Sequence, residues 1–141
     1  MKVNQVYLDA CIVIYYVQRH PRHVDGITRA LLPTGRAKPQ VAVTELTRLE
    51  CRVFPLRHND ARLLAEFDAF FAMPAVRHIP IDAAVFDLVT RLRAQHRIKT
   101  PDAMHLAAAI HAGCNEFWTN DDRLAQAAEG RIQVVVFDQT P

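Results

Sequence analysis

The chain is poor in glycine, with four among its 141 residues. It has no P-loop, no G-x-G-x-x-G motif and no G-x-S-x-G motif. The sequence therefore lacks the glycine-rich loops that hold nucleotide phosphates and the nucleophile turn of the α/β-hydrolases. Any chemistry has to come from side chains rather than from a phosphate-binding backbone loop.

Cysteine is equally scarce. Cys11, Cys51 and Cys114 are odd in number and far apart, and no C-x-x-C pair occurs. This pattern argues against a disulfide framework and against a thiolate zinc site. Four histidines also lack the spacing and partners of zinc ligands: His20, His23, His105 and His111.

Long apolar runs are missing too. The longest, residues 103–110, is interrupted by His105 and is far shorter than the ~20 residues of a membrane span. The first residues do not form a signal peptide, so we expect a cytoplasmic protein. Half of the residues are hydrophobic and 23% are charged, which predicts one globular domain over residues 1–141 with its own core.

A strong positive charge is also absent, since the formal net charge is +2. Net charge alone therefore does not indicate nucleic-acid binding. Basic residues nevertheless fall into two groups, which either follow phosphates or form solvated helix faces. The groups are Arg48, Arg52, Arg57 and Arg62, and Arg91, Arg93, Arg97 and Lys99.

Strand and helix signals alternate along the whole chain. Short apolar runs predict five strands near residues 6–8, 41–43, 76–81, 117–119 and 132–137. Helical patterns separate them, with Thr44 as an N-cap, Pro55 as the end of the next helix, and Thr100 and Pro101 at a helix start. The alternation predicts an α/β fold with a central parallel sheet and helices on both faces.

Acidic residues follow the predicted strands. Asp9 closes the first strand, Glu45 and Glu50 lie on the helix after the second, Asp102 is in a first helical turn, and Asp121 follows the fourth strand. Ligands of such sheets bind beyond the carboxyl ends of the strands. Asp9 also interrupts a buried run, which costs several kcal/mol unless the charge is paired or binds a metal.

Gathered carboxylates repel one another, and a divalent cation removes that repulsion. Magnesium and manganese prefer oxygen ligands and bind phosphates, so the pattern points to phosphoryl chemistry. His105 lies one turn after Asp102 and either orients a carboxylate, touches substrate or packs in the core. LDAC at residues 8–11 is similar to a phosphatase strand end, but the second aspartate of that motif is missing.

Four segments in order resemble the PIN-domain nucleases, particularly the VapC-type toxins of bacterial toxin–antitoxin pairs. They are VYLDACIVI (6–14), TELTRLE (44–50), KTPDAMHLA (99–107) and FWTNDDRL (117–124). The resemblance covers nearly the whole chain and implies a PIN-like three-layer fold. It implies an acidic quartet of Asp9, Glu50, Asp102 and Asp121 that binds Mg²⁺ or Mn²⁺, with Thr119 and Asn120 in support by hydrogen bonding. Thr47, the second hydroxyl of its motif, and His105, one turn after Asp102, are two further candidate supporting residues.

The resemblance further implies an endoribonuclease in which an activated water cleaves RNA, a homodimer and an inhibitory antitoxin. Rim arginines would position the RNA: Arg48, Arg52 and Arg97. Helical periodicity does not separate Glu45 from Glu50, whereas the family pattern favours Glu50. The chain departs from the common form at Ala10, which replaces a hydroxyl residue, and at Asp122, which doubles the fourth acid.

Two other functions stay open at the sequence level. One is a PIN-like module that binds RNA or protein without cutting, although retention of all four acids counts against it. The other is a different magnesium-dependent phosphoryl-transfer enzyme, which would act on small phosphate esters.

Overall fold

Five parallel strands form the centre of the fold in a computed structural model that describes residues 3–137. The strands run in the order β3-β2-β1-β4-β5, and every neighbouring pair is parallel. Their bounds are β1 (Gln5–Leu8), β2 (Gln40–Val43), β3 (Val76–His78), β4 (Glu116–Thr119) and β5 (Gln133–Val136). The ends of the predicted single domain, residues 1–2 and 138–141, lie outside the described residues.

Seven helices cover the sheet within residues 3–137. They are α1 (Ala10–Val17), α2 (Val24–Leu31), α3 (Glu45–Arg57), α4 (Ala61–Ala72), α5 (Ala83–Gln95), α6 (Thr100–His111) and α7 (Arg123–Ala128). None of these helices is both long and apolar enough to cross a membrane. The predicted α/β architecture with a parallel sheet is therefore confirmed.

Alternation along each strand divides the core into two layers, because successive side chains point to opposite faces. Tyr7 and Phe117 pack with α5, α6 and α7. Val6, Leu8 and Trp118 pack on the other face with α1 to α4. Both faces are buried, which is the usual condition of an all-parallel sheet.

Helix α3 departs from the sequence prediction at Pro55. We expected Pro55 to end this helix, but it lies inside α3, which continues to Arg57. The prediction was wrong because proline removes a single backbone donor near the end of a helix, and here its ring is buried. The predicted N-cap is confirmed, since Thr44 and Thr47 form a reciprocal capping box.

Two other helix starts are defined by the residue before them. Helix α1 begins at Ala10, because Asp9 is its N-cap and the Asp9 side chain accepts a hydrogen bond from the Ala10 N–H group. Helix α6 begins at Thr100 with Lys99 as the N-cap and no side-chain capping bond. The first of these caps places a candidate metal ligand at the start of a helix.

Phe67 offers a test of this packing. Its side chain is 1% exposed in the layer between α4 and the sheet. We expect Phe67→Ala to lower the free energy of unfolding by about 3 to 5 kcal/mol, because it removes buried surface and leaves a cavity.

The measurement is urea denaturation followed by circular dichroism. Phe86→Ala is the matched control, because Phe86 on α5 is 48% exposed, and its loss should cost less than about 1 kcal/mol. Equal losses at the two positions would contradict the core described here.

Candidate metal centre at the carboxyl edge of the sheet

Asp9 lies where β1 ends between β2 and β4. One carboxylate oxygen, Oδ1, accepts a hydrogen bond from the Ala10 N–H group at 2.8 Å. The other, Oδ2, accepts a hydrogen bond from the Thr119 hydroxyl, also at 2.8 Å. Thr119 is the last residue of β4, and the parallel register pairs Leu8 with Trp118 just before these two residues. Strand pairing therefore brings Asp9 and Thr119 together, and their hydrogen bond fixes the carboxylate.

Glu50 reaches the same edge from α3. Its Oε1 lies 2.5 Å from Nε2 of His105 on α6, and the same ring nitrogen lies 3.7 Å from Oδ1 of Asp9. His105 is fully buried, whereas the Glu50 side chain is 33% exposed. Glu50 thus has one oxygen held by the protein and is open to solvent beside Asp9.

Glu45 does not join this group. Its side chain is 72% exposed and lies 3.6 Å from both Arg48 and His78. Residues five apart on a helix point ~140° away from each other, so only one of the two glutamates can face the sheet edge. The structure brings Glu50, and not Glu45, beside Asp9.

Asp102 lies in the first turn of α6 and is half-buried. Burial, followed by the charges of Asp9 and Asp121, raises the pKa of Asp102 above its ordinary value. The charge of Glu50 adds to this rise, and His105 opposes it. Asp102 is therefore near enough to the other acids to be destabilised by their charges.

Asp121 lies further out. Its backbone N–H donates to the Thr119 hydroxyl at 3.2 Å, and Arg123 donates from Nε and Nη2 to its two carboxylate oxygens at 2.9 and 2.7 Å. These bonds from Arg123 lower the pKa of Asp121. Asp122 is exposed and makes no side-chain capping bond, so Asp121 is the member of the pair that is tied to the sheet edge.

The supporting polar residues have different partners from one another. Thr119 donates to Asp9, whereas the Asn120 amide donates to the Tyr15 hydroxyl at 2.9 Å. Thr47 lies within hydrogen-bond distance of the Tyr7 hydroxyl, at 3.2 Å. Asn120 and Thr47 thus each bond to a tyrosine hydroxyl, whereas Thr119 bonds directly to the Asp9 carboxylate.

The predicted RNA-binding arginines lie around this edge in different settings. Arg48 is 3.6 Å from Glu45, and Arg52 donates to Asp68 at 2.9 Å. Arg97 is exposed in the turn between α5 and α6, shortly before Asp102. Arg97 thus leads into the helix that carries Asp102, and Arg48 lies on the helix that carries Glu50.

Tyr7 is the residue that sequence reasoning missed. It is fully buried in β1, and its hydroxyl lies 2.6 Å from Nδ1 of His105. Burial raises the pKa of the Tyr7 phenol above its ordinary value, so it stays protonated. The available signal was a phenol inside an apolar strand, because a buried hydroxyl needs a hydrogen-bond partner.

The group as a whole suits a metal ion. One ligand atom from each of Asp9, Glu50 and His105 lies within 4.8 Å of the others. Carboxylate oxygens are the ligands that hard divalent cations prefer. Asp102 brings a further carboxylate to the edge at an electrostatic cost, which a cation would remove.

A known protein family shares the sequence pattern of this chain. The profile of the family described as PIN domain matches residues 6–130. The chain belongs to the PIN-domain family. Membership confirms the predicted family and the predicted fold, and it supports a nuclease activity.

Solved structures share the fold of this PIN domain. VapBC2 from Rickettsia felis, bound to a promoter DNA fragment, has a TM-score of 0.74 at 16% identity and covers 94% of this chain and 98% of its own. A toxin–antitoxin complex from Klebsiella pneumoniae has a TM-score of 0.68 at 22% identity, and the match covers 94% of this chain and 97% of the Klebsiella chain.

A third similar structure is VapC20 from Mycobacterium tuberculosis, a sarcin–ricin loop cleaving toxin. It has a TM-score of 0.71 at 15% identity, and the match covers 86% of this chain and 95% of VapC20. At these identities the likeness establishes the fold alone. No curated protein sequence matches the chain significantly.

Asp102→Asn tests the electrostatics of the site. Since the pKa of Asp102 is raised in the folded state, its charge opposes folding at neutral pH. We expect Asp102→Asn to stabilise the protein in EDTA at pH 7 by on the order of 1 kcal/mol, a value reduced by solvent screening of a half-exposed group.

The upward direction of the Asp102 pKa shift also fixes how the stability difference between Asp102→Asn and the wild type depends on pH. The difference should disappear below about pH 4, where the carboxyl is protonated in the unfolded state as well. Thermal melts of the wild type, Asp102→Asn and the exposed control Asp122→Asn measure it. Destabilisation by Asp102→Asn at pH 7 would refute the described repulsion.

Proposed function

We propose that this PIN-domain protein is a divalent-metal-dependent endoribonuclease and the toxin of a toxin–antitoxin pair. The observation that carries the proposal is the convergence of Asp9, Glu50 and Asp102 at one sheet edge, where their charges repel unless a cation is present. Asp9, Glu50 and Asp102 would hold the principal Mg²⁺ or Mn²⁺ ion, and Asp121 would complete the site or hold a second ion or its waters.

The bound ion would supply an activated water and would stabilise the charge that develops on the phosphodiester. Hydrogen bonds within the chain hold the carboxylates that would bind the ion. Thr119 and the Ala10 N–H keep Asp9 in one conformation, and His105 holds one oxygen of Glu50. The backbone and Arg123 hold Asp121 near the rim.

A side-chain nucleophile is not needed and is not available among the nearest thiols. Burial raises the pKa of Cys11 to about 12 and raises that of Cys51 as well. The thiolate, rather than the thiol, is the nucleophilic form of cysteine. Attack by water therefore fits this site better than covalent catalysis by cysteine.

The surface and the structural neighbours support the proposal of RNA and protein partners. VapC20 is a sarcin–ricin loop cleaving toxin, the Klebsiella pneumoniae neighbour is a toxin–antitoxin complex, and another similar structure belongs to the VapBC family of toxin–antitoxin systems. Four large apolar side chains of α3 are exposed, as expected of a surface that another chain covers: Leu49, Val53, Phe54 and Leu56. An antitoxin, a homodimer and a cytoplasmic setting, with residues 1–141 as one domain, belong to this proposal.

The first test is RNA cleavage by the purified protein with and without Mg²⁺ or Mn²⁺. We expect cleavage only with metal, and a loss of at least about 100-fold in Asp9→Asn and Asp102→Asn, because direct ligands matter more than outer-shell residues, which typically cost 10- to 100-fold. Asparagine keeps the helix cap at position 9, so folding should survive.

Glu50→Gln and Glu45→Gln form the matched pair for this assay. Only the first should abolish cleavage, because Glu45 is exposed away from the cluster. Metal binding without cleavage of any RNA would favour the binding-module alternative. Turnover of small phosphate esters in place of RNA would favour the phosphoryl-transfer alternative.

Arg97 tests the path of the RNA. If Arg97 contacts one phosphate, Arg97→Ala should lower kcat/KM several-fold and reduce the slope of log affinity against log salt by about 1. Arg62→Ala is the control, because Arg62 is exposed on α4 and lies 3.6 Å from Glu66. An unchanged salt slope would remove Arg97 from the RNA interface.

A further inference from the structure

A buried chain of hydrogen bonds connects β1 to the candidate metal centre. The Tyr7 hydroxyl lies 2.6 Å from Nδ1 of His105, 3.0 Å from the Thr44 hydroxyl and 3.2 Å from the Thr47 hydroxyl. The other ring nitrogen of His105, Nε2, lies 2.5 Å from Glu50. The tyrosine, both threonines and the histidine are fully buried, so none of them can exchange a partner for water.

Counting protons fixes the direction of these bonds. The Thr44 hydroxyl accepts the Thr47 N–H bond, and the Thr47 hydroxyl accepts the Thr44 N–H bond. Each threonine therefore keeps its own proton. The Tyr7 oxygen, at 3.0 and 3.2 Å, is a nearer acceptor for these two protons than the other threonine hydroxyl at 3.5 Å, and it has two lone pairs to accept them. The single Tyr7 proton then points to Nδ1 of His105, its shortest contact.

The histidine tautomer follows from this count. Since Nδ1 accepts the hydrogen bond from the Tyr7 hydroxyl, the ring carries its own proton on Nε2, and this proton points to Oε1 of Glu50. A carboxylate accepts such a bond, whereas an unprotonated Nε2 would place two lone pairs against each other at 2.5 Å. A protonated Nε2 has no lone pair left for a metal ion.

We propose that His105 is a positioning residue, locked by Tyr7 with its Nε2–H bond on Glu50, and that it is not a metal ligand. Distance alone leaves His105 as a third ligand beside Asp9 and Glu50, and the hydrogen-bond chain excludes that role. The role of Glu50 as the positioned ligand rests on the function proposed above.

The same tyrosine also positions the start of the helix that carries Glu50. Thr44 and Thr47 form the capping box of α3, and both hydroxyls meet the Tyr7 oxygen. Glu50 follows Thr47 by one helical turn. Tyr7 thus acts on Glu50 twice, once through the His105 ring and once through the first turn of α3.

The carboxylates around the His105 ring agree with an Nε2–H donor that points towards the candidate metal centre. Asp9 approaches Nε2 to 3.7 Å from β1, and Glu50 approaches it to 2.5 Å from α3. Asp102 lies one turn earlier on α6. The ring therefore presents its proton to a group of acids, and it leaves the second oxygen of Glu50 for a cation.

Nitrogen NMR reads the tautomer directly and does not depend on nuclease activity. In ¹⁵N-histidine-labelled, metal-free protein, we expect His105 to show a protonated Nε2 and an unprotonated Nδ1, and to keep this pattern when Mg²⁺ is added. Tyr7→Phe should lose the single tautomer, because Nδ1 then has no donor.

Two substitutions of His105 separate positioning from packing. The amide nitrogen of glutamine can reach the place of Nε2, whereas that of asparagine reaches the place of Nδ1. We expect His105→Gln to bind Mg²⁺ within a few-fold of the wild type and His105→Asn to bind it 10- to 100-fold more weakly, as for other outer-shell residues. Circular dichroism checks that both variants fold.

Three results would overturn the proposal: an Nδ1–H tautomer, loss of the Nε2 proton when Mg²⁺ binds, or equal Mg²⁺ affinity in His105→Gln and His105→Asn. Failure of the wild type to bind Mg²⁺ would instead overturn the proposed function. The tautomer in Tyr7→Phe would then still decide whether Tyr7 locks the ring.

Discussion

Parallel pairing of β1 with β2 on one side and β4 on the other requires their carboxyl ends to lie side by side. Asp9 and Thr44, which follow β1 and β2, and Thr119, the last residue of β4, therefore share one small region. Helices α3 and α6 then add Glu50 and His105 to it from opposite faces of the sheet. The arrangement of the candidate centre is a consequence of the order of the strands.

The acids of that region lie in different electrostatic environments. Asp9 is held by a hydroxyl and a backbone amide, and Asp121 is held by Arg123. Asp102 is instead raised in pKa by burial and by its acidic neighbours. The fold thus accepts a local penalty at the sheet edge, a common property of sites that bind a cation.

Much of the fold and the set of acids could be predicted from the sequence, because apolar periodicity and turn residues are local signals. The choice between Glu45 and Glu50 could not be made from periodicity, since a helix pattern does not show what lies across from each face. Tyr7 was overlooked for a similar reason. Its partners, His105 and the two threonines, are distant in sequence and meet only in the folded chain.

Asp9 is both the N-cap of α1 and a candidate metal ligand. The residue at this position is therefore constrained by helix stability and by metal binding. Asparagine, serine or threonine at this position would keep the cap and remove the negative charge. Alanine would remove both. A lineage that loses the activity but keeps the fold should therefore drift first towards capping residues at position 9, and such residues would mark inactive descendants of this chain.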